Sequence, residues 1–281
     1  MPVSRREFLA SAAVAAPRAG RLFSFAAIAD VQYADQPTAG ARTYRESTAK
    51  VRECAKLFNG QNCAFTVHLG DLVDGGLDNL DRIVPELDAL PQPVYHVIGN
   101  HDTPREGWLK RLKMPAAHYK FSKDEWDFIV LDGLAVRAGD GGVGDAVLAE
   151  LKEQGAPNAQ TWNGGLGASQ REWLADMLAG ADRRGRMVGL FCHFPVMDRA
   201  VRVEHLLWDW RQTLRVIGRS GAVRFWMNGH DHCGGRSKVG QIQYFTLPGL
   251  VENPPEACAT VVDVFADGVS FRRAAMGPAR P

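Results

Sequence analysis

The chain has 281 residues, of which 46% are hydrophobic and 23% are charged, and its formal net charge is +1. This is an ordinary globular composition, and the near-zero net charge gives no sign of a nucleic-acid-binding or stably membrane-associated surface. The five cysteines are odd in number and form no C-x-x-C pair, so the sequence indicates neither a zinc knuckle nor a disulfide framework.

The first 20 residues differ in kind from the rest. Arg5 and Arg6 are followed by a mildly apolar run, 8–16, that contains small residues suitable for signal cleavage. This pattern resembles a twin-arginine export signal, which implies translocation of the folded protein and a periplasmic or exported location. The apolar run is far shorter than the ~20 residues of a membrane span. We expect residues 1–20 to be this signal, with a basic tail on a cytoplasmic protein as the alternative.

The length of the remaining chain allows one large α/β domain or two small ones. Residues 21–281 contain no internal repeat, no low-complexity segment and no linker that would mark a boundary. We therefore expect a single domain over 21–281, and the sequence leaves its oligomeric state open.

Three apolar segments in the first hundred residues are predicted strands that each end in polar side chains. Helices predicted over 43–58 and 78–90 separate them, which is the sequence form of βαβ units with ligands gathered at one edge of a sheet. The segments and the residues that follow them are 21–29 with Asp30 and Gln32, 64–69 with Asp71, and 93–98 with Asn100 and His101.

The second half mixes antiparallel and parallel patterns. Residues 119–121 and 126–131 predict neighbouring strands joined by a polar turn. Ser169 and Glu172 form a capping-box pattern that predicts a helix reaching about residue 178. Two further predicted strands, 187–192 and 222–227, end at His193 and at the loop with His230 and His232; a helix over 206–217 precedes the second, and a strand-rich tail covers 241–247, 258–265 and 268–272. The pattern predicts an α/β fold of two packed sheets with helices outside.

Five strand ends thus carry side chains that can bind metal. Each alone has a simpler interpretation as a turn former or helix cap, but five in succession are hard to assign to turns. Carboxylate, amide and imidazole ligands together suit two divalent ions such as manganese, iron or zinc. Two such ions ~3.5–4 Å apart bind a bridging hydroxide and clamp a phosphoryl group for in-line displacement. The candidate ligands are Asp30, Gln32, Asp71, Asn100, His193, His230 and His232.

The order D-x-Q, G-D-x-x-D, G-N-H-D, H and G-H-x-H closely resembles the calcineurin-like metallophosphoesterases. The resemblance implies a four-layer α/β/β/α sandwich, in which two packed mixed sheets are flanked by helices. It also implies a bridging carboxylate, Asp71, and a non-ligand histidine, His101, that stabilises or protonates the leaving oxygen, with Asp102 available to orient its ring. By this resemblance Asp30, Gln32, Asp71 and His232 would hold one ion, and Asp71, Asn100, His193 and His230 the other.

Gln32 departs from the family's commonest first motif, which has histidine there. An amide oxygen is a harder and weaker ligand than imidazole, so the first site should lean toward manganese. The segment 30–35, D-V-Q-Y-A-D, is similar to the signature of the manganese-dependent ADP-ribose/CDP-alcohol diphosphatases, a branch of this superfamily. Further segments similar to that branch are Tyr44-Arg45, 162–165, 208–211 and 249–252.

The branch resemblance implies a small-molecule phosphate substrate: a phosphoanhydride that links a nucleoside monophosphate to a second alcohol or sugar phosphate. Arg45 or Arg211 would help two metal ions to neutralise the diphosphate, and aromatic rings would stack on the base. For each ring, core packing is the alternative. The candidate substrate contacts are Tyr33, Arg45, Trp162, Asn163, Trp208, Trp210 and Arg211.

Two other functions are compatible with these motifs. The metal site alone does not choose the phosphate ester, so a broad phosphodiesterase or phosphomonoesterase of the same superfamily is the alternative enzyme. Some proteins of this fold lose ligands and serve as scaffolds. No candidate ligand position is apolar here and His101 is present, which disfavours a scaffold.

Overall fold

The computed structural model describes residues 20–90, 92–139 and 141–276. The predicted export segment lies outside these residues, apart from Gly20. The strands are β1 Phe23–Ile28, β2 Cys63–His68, β3 Val94–His96, β4 Tyr119–Lys123, β5 Trp126–Val130, β6 Val136–Arg137, β7 Gly164–Gly165, β8 Met187–Phe191, β9 Val223–Asn228, β10 Gly235–Val239, β11 Ile242–Thr246, β12 Thr260–Phe265 and β13 Gly268–Arg273. The α-helices are α1 Ser47–Phe58, α2 Leu80–Asp88, α3 Arg105–Arg111, α4 Val143–Glu153, α5 Gly167–Arg183, α6 Trp210–Ile217 and α7 Pro255–Cys258. Short 3₁₀ segments are Tyr44–Glu46, Leu77–Asn79, Val203–His205 and Ala274–Met276.

The strands form two mixed sheets. The first has the order β13-β12-β1-β2-β3, with β1, β2 and β3 parallel, and the second has the order β10-β11-β9-β8-β5-β4, with β11, β9, β8 and β5 parallel. A short antiparallel pair, β6 and β7, stands apart. Parallel strands deliver their carboxyl ends to one edge of a sheet, so the loops after β1, β2 and β3 begin side by side.

The strand β5 shows why the two sheets pack face to face. Its residues alternate between two cores, since successive side chains of a strand point to opposite faces. Phe128 lies in the core between the sheets, where it packs edge-on against Phe25 of the first sheet at 5.8 Å between ring centroids. Ile129 joins a second core with Leu174 of α5 and Ile217 of α6. The predicted four-layer α/β/β/α sandwich is therefore confirmed.

The elements that were not predicted from the sequence include the helix α3 and the strand β10. The helix α3 is only seven residues long and follows the polar loop after β3. The strand β10 lies at a sheet edge and is largely exposed, so its sequence, G-R-S-K-V, carries no alternation of apolar and polar residues. No helix in the described ranges combines the length and apolarity needed to cross a membrane.

The helix α5 begins differently from the capping-box prediction. It starts at Gly167, and no side chain of its own first turn caps it. Instead the carboxylate of Asp209 accepts the backbone N–H groups of Leu166, at 3.1 Å, and Gly167, at 3.0 Å, and it also pairs with Arg171. The cap comes from a residue some 40 positions away, which a local sequence pattern does not reveal.

Replacing Asp209 by alanine should therefore destabilise the protein, while Ser169→Ala should be almost neutral. Loss of a cap costs about 0.5–2 kcal/mol. For a chain of this size each kcal/mol lowers Tm by about 2–4 °C. Thermal denaturation of both variants measures the difference. A larger effect from the exposed Ser169 than from Asp209 would contradict this assignment of the cap.

Candidate active site

The structure brings all seven predicted metal ligands to one place, the edge where the carboxyl ends of the two sheets' parallel strands meet. Six of them are buried, and Asn100 is half-buried. One ligand atom from each of Asp71, His193 and His230 can be chosen so that all three lie within 4.8 Å of one another. The roles of individual ligands remain predictions, but their convergence is an observed property of the fold.

Asp71 lies at the centre of this cluster. Its Oδ2 is 3.2 Å from Gln32 Nε2 on one side and 3.3 Å from His193 Nε2 on the other. His232 Nε2 joins the first side, 3.3 Å from Gln32 Nε2. This position between two groups is the one that a bridging carboxylate requires.

Each group is completed by short contacts. On the first side, His232 Nε2 is 3.4 Å from Asp30 Oδ1. On the second, His193 Nε2 is 3.1 Å from Asn100 Oδ1 and 3.2 Å from His230 Nδ1. The two groups match the two sets of ligands that the family resemblance implies.

The three histidines have their outer ring nitrogens fixed by acceptors. His193 Nδ1 donates to the carbonyl of Leu69 at 2.8 Å, and His230 Nε2 donates to Asn163 Oδ1 at 2.8 Å. His232 Nδ1 donates to Glu252 at 2.9 Å. An imidazole that donates from one nitrogen can bind metal through the other, so these acceptors orient all three inner nitrogens toward the cluster.

Gln32 provides a further test of whether metal fits this site. Its Oε1 is buried and has no hydrogen-bond partner among the described residues, while its Nε2 faces Asp71. Buried polar atoms rarely stay unpaired without a reason. Rotation of the amide by 180° exchanges its two ends and presents the oxygen to the cluster. With three imidazole nitrogens, two carboxylates and two amides, the cluster fits two divalent cations.

The backbone around the cluster is unusual. Asp30, Gln32, Asp71 and His230 have φ values of 52°, 43°, 55° and 68°, in the left-handed region that side chains rarely adopt. Gly99 allows the loop after β3 to approach closely, since a Cβ there would overlap the carboxylate of Asp71. Together these loops crowd polar side chains into a small volume.

The electrostatics of the cluster favour bound positive charge. Burial would raise the pKa of Asp71, but His193 and His101 lower it well below its usual range. Burial would lower the pKa of His232, but Asp30 and Glu252 raise it to about 10. Burial likewise opposes, and Asp71 favours, the raised pKa of about 9 at His193. The carboxylates thus stabilise protons on the nearby imidazoles. A metal ion would compete with these protons for the same nitrogen lone pairs.

His101 lies beside the cluster with its side chain partly exposed. Its Nδ1 donates to Asp74 Oδ1 at 2.5 Å, while its Nε2 is 4.0 Å from Asp71 Oδ2. Burial lowers the pKa of His101, but the bond to Asp74 and the charge of Asp71 outweigh it and raise the pKa above its ordinary value. A histidine held in this way can carry a proton toward the cavity.

The assignment of Asp102 as the residue that orients His101 is wrong, because Asp74 occupies that position. Asp102 is fully buried and accepts four backbone N–H groups instead. The donors are Leu72 at 2.7 Å, Asp71 at 2.8 Å, Gly99 at 2.9 Å and Val73 at 3.3 Å. Asp102 therefore ties the loops after β2 and β3 together.

A cavity of about 390 Å³ opens above the cluster. Of the predicted substrate contacts, Trp162 lines it and is 45% exposed. Asn163 is buried and is not part of the lining, but its Oδ1 accepts a hydrogen bond from His230. Its lining residues are Gln32, Arg42, Asp71, Asn100, His101, Trp162, His205, His230 and His232.

The other predicted substrate contacts are absent from that lining. Tyr33 and Trp208 are buried, and Trp208 Nε1 donates to the carbonyl of Gln160 at 3.2 Å. Arg45 pairs with Asp35 at 2.7 Å. Arg211 lies over the ring of its neighbour Trp210 at 4.2 Å. Burial accounts for Tyr33 and Trp208, as the alternative of core packing allowed, and local contacts account for the two arginines.

Four residues around the site were missed by sequence reasoning: Arg42, Asp74, His205 and Glu252. Arg42, three positions before Arg45, is the arginine that lines the cavity, and it pairs with Glu252 at 3.2 Å. The ring of His205 lies 5.3 Å from that of His230. Asp74 belongs to the G-D-x-x-D motif, so the sequence contained a usable signal for it. Glu252 lies in the segment 249–252, whose similarity to the diphosphatase branch was also a usable signal, while no spacing pattern singles out Arg42 or His205.

The fold and the buried cluster are those of a dinuclear metallophosphoesterase. The family model described as calcineurin-like phosphoesterase matches residues 23–234, and the chain belongs to that family.

The chain is similar to proteins named manganese-dependent ADP-ribose/CDP-alcohol diphosphatase. The one from Arabidopsis thaliana is 32% identical over 294 residues, covering 89% of this chain and 93% of the relative. The one from Oryza sativa subsp. japonica is 31% identical over 277 residues, covering 85% and 86%. A dimetal phosphatase from Danio rerio superposes with a TM-score of 0.80 at 25% identity, covering 90% of this chain and 99% of that structure.

Proposed function

We propose that this protein is a manganese-dependent diphosphatase that hydrolyses the phosphoanhydride of nucleoside diphosphate-linked compounds of the ADP-ribose or CDP-alcohol type. The observation that carries the proposal is the cluster of seven candidate ligands, six of them buried, with an amide, Gln32, in the first motif. An oxygen ligand in place of imidazole favours manganese. The names of the most similar relatives support the same metal and substrate class.

The chain's own residues divide the work. The seven cluster residues would hold two divalent ions, which, when bound, activate water and stabilise the charge of the transition state. Arg42 places a guanidinium at the cavity wall, where it neutralises diphosphate oxygens. When water adds to one phosphorus and the bridging P–O bond breaks, the departing phosphate oxygen gains charge. His101 offsets that charge with a proton held toward the cavity by Asp74.

Trp162 is our candidate for holding the nucleobase. It is a large aromatic side chain exposed at the cavity lining, which is costly to leave in water and suited to stacking. Purine and pyrimidine rings both offer a face to such a platform. This tolerance accommodates both ADP- and CDP-linked substrates.

A substrate screen under saturating Mn²⁺ tests the proposed function. We expect ADP-ribose or CDP-alcohols to be hydrolysed with higher kcat/KM than cyclic nucleotides, bis(p-nitrophenyl) phosphate or phosphomonoesters. Omission of Mn²⁺ after treatment with a chelator should abolish turnover. A clear preference for diesters or monoesters would replace the diphosphatase with the broader esterase, and no metal-dependent turnover at all would leave a scaffold.

Gln32→His should tighten metal binding at the first site. Imidazole is a stronger ligand for divalent transition ions than an amide, so activity should depend less on added Mn²⁺. Calorimetric titration of the metal-free variant with Mn²⁺ measures the change directly. Unchanged or weaker affinity would show that Gln32 is not a ligand, or that the larger ring does not fit its buried position.

We also propose that residues 21–281 form one catalytic domain and that residues 1–20 direct export of the folded, metal-loaded chain to the periplasm. The paired Arg5 and Arg6 before a short apolar run support the export half. Cell fractionation of the full chain tests it against a variant with both arginines replaced by lysine. Equal amounts of both proteins in the periplasm would argue against a twin-arginine signal.

A further inference from the structure

The segment 249–252 connects three parts of the active site. Leu250 donates to the carbonyl of Ala29 at 3.1 Å, and Val251 donates to the carbonyl of Asp30 at 2.9 Å. The carbonyl of Val251 in turn accepts both the backbone N–H and the hydroxyl of Thr43, each at 3.1 Å. The segment therefore fixes the loop after β1, which carries Asp30, on one side and the loop that carries Arg42 on the other.

His232 packs against the start of the same segment. A Cβ on Gly249 would lie 2.7 Å from His232 Cγ, so only glycine lets the imidazole approach the backbone this closely. The N–H of Gly249 donates to the carbonyl of His232 at 3.2 Å. The backbone at Gly249 thus supports the ring of His232 and limits its movement.

Glu252 completes the arrangement with one oxygen that serves two donors. Its Oε1 accepts His232 Nδ1 at 2.9 Å and Arg42 Nε at 3.2 Å. A single carboxylate oxygen therefore stands between a candidate metal ligand and the guanidinium at the cavity wall.

We propose that Glu252 is a positioning residue that shares its negative charge between His232 and Arg42, so that metal binding and binding of an anionic substrate strengthen each other. The substrate half of this inference rests on the function proposed above. The metal half rests only on the contacts of Glu252.

The direction of the coupling follows from the shared oxygen. A cation on His232 Nε2 makes the Nδ1–H a stronger donor and draws Glu252 toward the imidazole. Arg42 is then less neutralised and attracts a phosphate more strongly. Conversely, a phosphate on Arg42 leaves more of the charge of Glu252 to His232, which raises the basicity of that ligand. Such coupling is reciprocal by thermodynamic necessity.

Calorimetric titration of the metal-free protein with Mn²⁺ tests the metal half without any turnover. Glu252→Gln keeps the shape and an acceptor oxygen but removes the charge, and it should weaken Mn²⁺ binding at the first site about 10–100-fold. Arg42→Met should instead tighten Mn²⁺ binding, because Glu252 is released to His232. Thermal denaturation of each variant confirms that it is folded before titration.

A double-mutant cycle separates the shared oxygen from simple loss of charge. Removal of a nearby cation favours metal binding in any background, and that effect is carried equally into the Glu252→Gln variant. If Arg42 acts through Glu252, Arg42→Met should tighten Mn²⁺ binding at least about threefold more in the native background than in the Glu252→Gln background. Arg45→Met, which removes a cation three positions away that pairs with Asp35, is the matched control and should be additive with Glu252→Gln. Additive effects at Arg42 would overturn the proposal.

AMP, one product of ADP-ribose hydrolysis, tests the substrate half. Saturating AMP should tighten Mn²⁺ binding in both the native protein and Glu252→Gln, since its phosphate would also contact bound metal ions. The tightening should be about fivefold or more greater in the native protein, at the lower end of typical coupling. Equal tightening overturns the substrate half. If the diphosphatase activity itself is absent while the Arg42–Glu252 cycle remains non-additive, only the proposed function fails.

Discussion

Replacing Asp71 by asparagine should remove more activity than replacing any other ligand, because Asp71 lies between the two groups of the cluster. Loss of an outer partner of a metal site costs about 10–100-fold. We expect Asp71→Asn to lower kcat/KM by more than ~100-fold, since it weakens the binding of both ions while leaving the volume of the side chain unchanged. Metal analysis after reconstitution with Mn²⁺ should give two ions per native chain and fewer in the variant.

Asp30→Asn is the matched control for this experiment. Asp30 is as buried as Asp71, but among the ligand side chains its carboxylate contacts that of His232, in the first group. Its contact with His230 is to the backbone N–H and not to the ring. The control should lose affinity for one ion only. If Asp71→Asn keeps two tightly bound ions, or if both variants lose the same activity, Asp71 is not the bridging ligand.

His101→Ala should keep both metal ions and lose about 10²–10⁴-fold in turnover, the range of general acid catalysis. The reason is that His101 Nε2 lies 4.0 Å from Asp71 Oδ2, beside the cluster, while its Nδ1 is held by Asp74. The loss should grow with the basicity of the leaving group, since a more basic oxygen needs the proton more. A series of aryl phosphodiesters from p-nitrophenyl to unsubstituted phenyl measures this dependence.

Asp74→Asn should share this signature in a weaker form. The variant leaves His101 in place but removes the charge that raises its pKa and aims its ring, so about 10–100-fold should be lost. Mn²⁺ binding serves as the control readout for both variants. Loss of a metal ion from His101→Ala, or an equal loss across the ester series, would make His101 a ligand or a positioning group.

The candidate ligands were predictable because each is encoded locally. An apolar strand followed at once by a polar loop identifies Asp30, Asp71 and Asn100, and the fold then places these strand ends side by side. The two packed sheets were predictable for a similar reason, since β5 and its neighbours carry apolar residues on both faces. Patterns of this kind depend only on residues close in the chain.

The partners of those ligands were not predictable from the same patterns. Asp102 is adjacent to His101, yet the turn directs its carboxylate to backbone N–H groups. Asp74, in the loop after β2, accepts the hydrogen bond from the ring of His101 instead. Arg42 and Glu252 are 210 positions apart and meet only through tertiary packing. Adjacency in sequence says little about which way a side chain points in a tight loop, and distant pairs leave no spacing to detect.

The left-handed backbone at Asp30, Gln32, Asp71 and His230 constrains how this protein can evolve. Each such conformation costs about 1–3 kcal/mol when glycine is absent. Glycine at any of the four positions would relieve the backbone and remove a candidate ligand in the same step. Mutation with selection for folding alone therefore favours a more stable descendant without catalysis. A lineage released from the need for hydrolysis should lose its ligands first at these four positions, and later at Asn100, His193 and His232, where no such relief is available.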